Sequence, residues 1–245
     1  MAEIILKNEQ LEIEVKLHGA ELCSLKDVES GIQYLWNADP KYWGRTSPVL
    51  FPFVGSVRDK KFKYNGTEYP MNQHGFARDM DFVLISREDD EAWFALESTK
   101  ESYQRYPFRF RLEIGYRIEE NTVTVMWRVK NTDEKEMYFS IGAHPAFFCP
   151  LKEGEKQSDY YLAFWKKDGS RPEMFCNTVF GQGGLVTADK KDYALEDGVL
   201  PIAEDLFDGD ALVIENHQVQ RVALLDGKKG EYLAVEFDAP LVGIW

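Results

Sequence analysis

Basic charge is in short supply. The 245 residues carry 29 Lys and Arg against 42 Asp and Glu, a formal net charge of −13. Binding nucleic acid needs a basic face that neutralises phosphates, so that class is set aside. Cysteine is scarcer still. Cys23, Cys149 and Cys176 are an odd count without CxxC spacing, which points to reduced thiols and a cytoplasmic setting rather than a disulfide frame. No apolar run approaches the roughly 20 residues of a membrane span. The opening MAEIILKNEQLEIEV has no basic stretch followed by a long apolar one, so no signal peptide is read there.

Several chemistries are missing too. There is no GxSxG elbow, no P-loop and no GxGxxG after a strand. No HxH or HExxH pattern supplies closely spaced metal ligands, so no metal site is expected. No stretch of 11 to 18 residues repeats with helical period. No internal repeat or clear linker breaks the chain, which reads as one domain over residues 1–245.

What is present is alternation. EIILK (3–7) and LEIEVK (11–16) read as paired strands with a two-residue apolar and polar period, as half-buried strands do. Residues 19–25, 82–86, 92–97, 108–118, 122–130 and 137–148 follow the same habit, as do 211–215, 221–225 and 232–237. Asn65-Gly66 between KFKY and TEYPM is a two-residue hairpin signal. Residues 150–205 are less regular, and KEGEKQSD and GQGG within them read as surface loops. Leu233–Trp245 reads as strand, turn and strand. The fold class is therefore all-β, built as a sandwich of antiparallel sheets.

Histidine is rare, with four in the chain, and two of them occupy crowded settings. His74 lies in Gln73-His74-Gly75-Phe76-Ala77-Arg78, and His144 in Gly142-Ala143-His144-Pro145-Ala146-Phe147. An imidazole titrates near neutrality and can give or take a proton. A core histidine satisfied by a carbonyl fits the first position as well. Around it, Gly75 permits close backbone approach, Phe76 offers a flat apolar face and Arg78 a fork of donors. A sugar uses both kinds of surface, since its C–H faces stack on rings and its hydroxyls need hydrogen bonds.

Pro145 pushes His144 toward extended backbone. That suits either a solvent-facing strand end or an imidazolium acid held rigidly within ~3 Å of a ring oxygen. Arg58 is either a loop residue paired with Asp59 or a clamp on two hydroxyls. Asp210, beside Asp208 and Gly209, is either a turn residue or a hydroxyl acceptor at the sheet rim. His18 and His217 read as surface groups.

SPVLFPFVGSVRDKKFKYNGTEYPMNQHGFARD, SIGAHPAFF and LFDGDALVIEN together resemble the aldose 1-epimerase (galactose mutarotase) family, and most closely its LacX-like branch. The resemblance runs along nearly the whole chain. It implies a β-supersandwich with an open cleft for a hexose, and cofactor-free interconversion of α and β anomers. It makes His144 the general acid on the ring oxygen and His74 a second histidine bonding the sugar near that oxygen. It makes Arg58 the residue that grips hydroxyls and Asp210 the substrate-binding aspartate. The family's general base is a glutamate on a strand following the segment that resembles Pro240–Trp245. The expectation is that this base and the last strands lie beyond Trp245.

A phosphorylated hexose is the alternative substrate, with Lys60, Lys61 and Lys63 beside Arg58 as the basic cluster. A sugar-binding protein without turnover, and a cupin-like metal enzyme, are the readings from other classes. The partner expected is a small-molecule sugar, with neither nucleic acid nor membrane. The pattern sets no oligomeric state, and a homodimer is compatible with it.

Overall fold

A computed structural model describes residues 3–181 and 184–245. The chain read from its sequence as one domain divides into two compact units, Met1–Phe148 and Cys149–Trp245.

The first unit opens with β1 (Glu3–Lys7), β2 (Leu11–Lys16) and β3 (Leu22–Asp27), an antiparallel sheet in chain order. Leu11, Ile13 and Val15 of β2 are buried while the residues between them are half-buried, so the two-residue period decides the face. The short β4 (Val49–Leu50) follows. Next is the hairpin of β5 (Lys61–Tyr64) and β6 (Thr67–Pro70). Asn65 and Gly66 both have positive φ there, 46° and 81°, as a tight hairpin turn demands.

The largest sheet of this unit comprises β7 (Val83–Arg87), β8 (Glu91–Glu97), β9 (Phe110–Glu119) and β10 (Thr122–Asn131), in the order β10-β9-β8-β7. Between β8 and β9 lies a six-residue helix, α1 (Lys100–Arg105). Thr99 caps it, accepting from the Ser102 N–H at 3.1 Å, while Ser102 Oγ accepts from the Thr99 N–H at 2.8 Å.

On β9 the residues Phe110, Leu112, Ile114, Tyr116 and Ile118 are all buried. The alternate positions carry charge, and Arg111 bonds both Glu97 and Glu113. Gly115 interrupts that charged row because the Trp93 indole lies against it. A Cβ at Gly115 would sit 2.6 Å from the indole ring. The Arg128 guanidinium stacks on the same indole, 3.8 Å from its centroid. β11 (Gly142–Ala143) closes the unit by pairing with β4.

The second unit holds two four-stranded sheets. Its strands are β12 (Tyr161–Trp165), β13 (Met174–Phe180), β14 (Val186–Ala194), β15 (Val199–Pro201), β16 (Leu212–Ile214), β17 (Arg221–Leu225), β18 (Glu231–Glu236) and β19 (Val242–Ile244). One sheet runs β15-β12-β17-β18 and the other β14-β13-β16-β19. Leu162 and Phe164 from the first share a core with Phe175, Leu212 and Ile214 from the second, which makes the unit a sandwich.

Four of these strands fall within residues 150–205, where the sequence suggests loops. β14 reads VTADKKDYA and is mostly exposed. It is a charged edge strand, which shows no alternation because neither face is buried. β12 reads YLAFW and is buried along its middle, so it too lacks alternation. The GQGG segment falls partly outside the described residues, at Gln182 and Gly183. Residues 137–148 are also corrected. Only Gly142–Ala143 forms regular ladder there, and the remainder is extended backbone bonded residue by residue to its neighbours.

The contact at Gly115 can be tested directly. Gly115→Ala forces the Trp93 indole off its seat, and a cost of about 1–3 kcal/mol is expected. Urea unfolding followed by tryptophan fluorescence would show it as a lower midpoint with an unchanged slope.

Candidate active site

The two histidine segments meet on a strap of backbone, Phe51–Gly55. The Phe51 carbonyl accepts two N–H groups, from Phe76 at 3.0 Å and Ala77 at 3.1 Å. The Gly55 carbonyl accepts the His74 N–H at 2.8 Å. In return, the Gly55 N–H donates to His74 Nδ1 at 3.0 Å. That bond makes Nδ1 an acceptor, so the neutral ring carries its proton on Nε2 and that N–H remains to donate.

Gly75 has φ 74°, and a Cβ there would lie 2.1 Å from the Phe51 oxygen. Only glycine lets the two backbones approach this closely. His74 itself has φ 65°, an uncommon conformation for a residue with a side chain.

His144 arrives on the other side of the same strap. Its N–H donates to the Pro48 carbonyl at 3.1 Å, and Ala146 donates to Thr46 at 2.8 Å. On its far flank Trp36 donates to Ala146, and Phe148 to Tyr34, both at 2.8 Å. The segment is therefore held between 46–50 and 34–36. Val54 ties it further through a bond to Ser140 Oγ at 2.9 Å.

Buried Glu21 braces the 46–47 end. Its Oε1 accepts from the Thr46 N–H (2.8 Å), the Thr46 hydroxyl (2.9 Å) and the Ser47 N–H (3.0 Å). Hydrogen bonds to a charged group contribute about 1.5–3 kcal/mol each.

These restraints bring the His74 and His144 rings to 5.5 Å, centroid to centroid, edge to face at 71°. The Trp43 indole lies 4.9 Å from the His144 ring at a 37° tilt. Burial pushes His74 down to about 4, with His144 and then Arg78 adding to the effect. His144 is lowered as well, mainly by burial and further by Arg78, against a hydrogen bond to its own backbone that pulls the other way. Both rings therefore rest neutral at pH 7.

Arg78 is the cation that both rings feel. Its Nη2 donates to the Gln73 carbonyl at 2.8 Å, and its Nε is buried without a partner among the described residues. Burial, then neighbouring Arg45, lowers its own pKa. Arg45 in turn bonds Asp79 at 2.5 Å.

The other expected residues stand differently. Phe76 is 2 % exposed and packs among Tyr106 and Phe110, with Arg105 over its ring. It is a core residue, and the open stacking face expected of it is not there. Arg58 begins a short 3-10 turn, Arg58–Lys60, and is exposed. The pairing with Asp59 is not formed, and among the described residues no hydrogen bond or ion pair engages its guanidinium. Asp210 belongs to the second unit, exposed, with φ 86° and its Oδ1 accepting from the Ala211 N–H at 2.7 Å. His18 is bonded to Asp81 at 2.7 Å and His217 is exposed, so both sit at the surface.

Sequence reasoning missed Trp43 and Glu21. Trp43 stood within an aromatic run, but nothing local tied it to a histidine about a hundred residues away. Glu21 lies in an alternating strand pattern that marks no partner. Among the described residues the one three-ligand group is Glu3, Glu14 and Cys23, on β1–β3.

The family model for aldose 1-epimerase matches residues 3–193. The chain belongs to the aldose 1-epimerase family. The plasmid-encoded protein LacX of Lactococcus lactis subsp. lactis is 36 % identical over 242 residues, covering 96 % of this chain and 79 % of the relative. Among solved structures, a galactose mutarotase-like protein from Lactobacillus casei aligns with a TM-score of 0.90 at 28 % identity, over 100 % of this chain and 82 % of that one. A galactose mutarotase related enzyme from Lactobacillus acidophilus gives 0.89 at 29 %, covering 100 % and 80 %. The fold is thus the galactose mutarotase-like β-sandwich architecture that the sequence resemblance implied. Among the described residues no helix is long and apolar enough to cross a membrane.

The lowered His74 has a consequence for stability. Its folded pKa of about 4 lies below the 6.5 of a free imidazole, so between those values unfolding takes up a proton. Stability is unaffected by this ring above pH 6.5 and falls as the pH drops from about 6.5 to about 4. Urea midpoints at pH 7.5 and 4.5 should differ more in the native protein than in His74→Gln. An equal loss in both would contradict the neutral buried ring.

Proposed function

We propose that the protein is an aldose mutarotase that interconverts the anomers of a free hexose by acid–base ring opening and reclosure. The observation that carries this reading is the His74–His144 pair, two imidazoles with ring centroids 5.5 Å apart. Family membership supports the reaction class.

In the first step a base takes the proton from the anomeric hydroxyl, while His144, in the fraction that has taken up a proton, delivers it to the ring oxygen, returns to the neutral imidazole, and the C1–O5 bond opens. His74, with Nδ1 occupied by Gly55, donates from Nε2 to a sugar oxygen beside it. Rotation about C1–C2 turns the other face of the aldehyde to the hydroxyl, and reclosure gives the other anomer. On closure His144 takes the proton back, so it must pass between neutral and charged forms at working pH. The base in this reading is a carboxylate. Arg58 is the side chain of this unit proposed to bind the sugar's hydroxyls. Arg78 acts on the histidines' charge, and its exposed fraction is small.

One observation favours a phosphorylated hexose as second reading. Arg58 and Lys60 are exposed and unpaired, whereas Lys61 is already bonded to Glu68 at 2.9 Å. Two free cations on one turn could receive a phosphate.

Polarimetry on freshly dissolved α-galactose and α-glucose tests the first reading, with α-glucose 6-phosphate as the comparison. The protein should speed the decay of optical rotation, and His144→Ala should remove about 10²–10⁴-fold of that rate. Calorimetric binding of sugar with an unchanged decay rate would instead make it a sugar-binding protein.

A further inference from the structure

We propose that Trp43 is a positioning residue for His144, fixing the imidazole ring and stabilising its positive charge when it takes up a proton. The catalytic part of this inference rests on the mutarotase reading above, while the contact itself does not.

The geometry is specific. The ring centroids are 4.9 Å apart and the planes are tilted by 37°, within the distance of a cation–π contact and far from an edge-on crossing angle. A cation within about 6 Å of an indole face is attracted by the ring's quadrupole, and more strongly where water is excluded.

The surroundings give that attraction a task. From the turn of residues 72–75, the group facing His144 is His74, whose own pKa burial lowers and whose Nδ1 accepts from Gly55. From the short turn Ala77–Asp79 it is Arg78, a cation that opposes a second charge. From 46–50 it is the Pro48 carbonyl, already bonded to the His144 N–H. Trp43 is therefore the one ring against His144 that favours the charged form over the neutral one.

The backbone that carries the indole is fixed on both sides. The Trp43 N–H donates to the Asp39 carbonyl at 3.0 Å, and the Trp43 carbonyl accepts from Trp36 Nε1 at 2.8 Å. Trp36 is packed in turn against Tyr42 and Phe148. Two residues further on, Arg45 bonds Asp79 and so pins this loop to the turn that carries Arg78. A tryptophan serving only to fill space would not require its ring to lie over a titrating group.

The test is an NMR titration of the His144 imidazole, assigned by its loss in His144→Ala, in native protein, Trp43→Phe and Trp43→Leu. Trp43→Leu should lower the His144 midpoint by about one pH unit, with Trp43→Phe between it and native. An unmoved midpoint in Trp43→Leu overturns the proposal. If Trp43→Leu does not fold, a native-like midpoint in Trp43→Phe with a freely reorienting imidazole does the same. Where mutarotation is measurable, Trp43→Leu should lower kcat about three- to tenfold with KM nearly unchanged, and shift the pH profile with the NMR midpoint. A moved midpoint in a protein that does not accelerate mutarotation would retain the Trp43–His144 coupling and remove only the enzyme reading. An unmoved midpoint alongside intact catalysis would remove the coupling alone.

Discussion

The site depends on one close approach, Gly75 against the Phe51 carbonyl. That oxygen accepts from both Phe76 and Ala77, and no side chain at position 75 fits beside it. Once the approach is made, Gly55 is in register to bond His74 through both backbone and ring. The same strap receives the Ser140 N–H on the Pro52 carbonyl. His74 and His144 are thus positioned from one piece of backbone, although 70 residues separate them. Beneath the strap, the Phe51 ring packs on Tyr106 and Phe110, so the core of the largest sheet in this unit anchors it. A site built from backbone contacts of this kind is set more firmly than its irregular loops suggest.

The electrostatics follow from the same burial. Two imidazoles in contact, with a guanidinium nearby, cannot both carry charge at moderate cost. Desolvation is the largest cause of the lowered values for both, and Arg78 adds to it. Arg78 is itself restrained, because its Nη2 is committed to the Gln73 carbonyl and Asp79 stands 4.0 Å from its Nε. It acts as a fixed positive charge behind the pair. Neutral imidazoles suit a neutral ligand, since no counter-charge has to be displaced when a hydroxyl approaches.

How much of this was legible in the sequence varies with the kind of interaction. Strands β2 and β9 declare themselves because one face of each is buried and the other is less so. The β5–β6 turn declares itself because Asn-Gly satisfies a specific backbone requirement. β12 and β14 stay hidden for opposite reasons, one being buried along its middle and the other largely exposed. His74 and His144 were legible as unusual neighbours, and the segments that carry them also marked the family. Phe76 misled because its aromatic ring was read without its direction. Position 76 hangs from the Phe51 carbonyl and points into the core, a fact set by Gly75 and not by residue 76 itself. Glu21 and Trp43 were beyond reach because each acts through a partner distant in sequence, and no period or motif records such a pair.

The need for reversal on ring closure shapes what the site must contain. A group that first gives a proton and then takes one back is efficient only if neither form is strongly disfavoured. Burial and Arg78 both tilt His144 toward neutrality, against a hydrogen bond to its own backbone. Something near His144 has to favour the cation without donating a proton or adding a carboxylate that would hold the ring permanently charged. An indole face meets that requirement, because its attraction is modest and exists only while the imidazole is charged. Trp43 is the ring that lies in this place. Its contribution narrows the gap between the two protonation states and leaves the neutral form as the resting one.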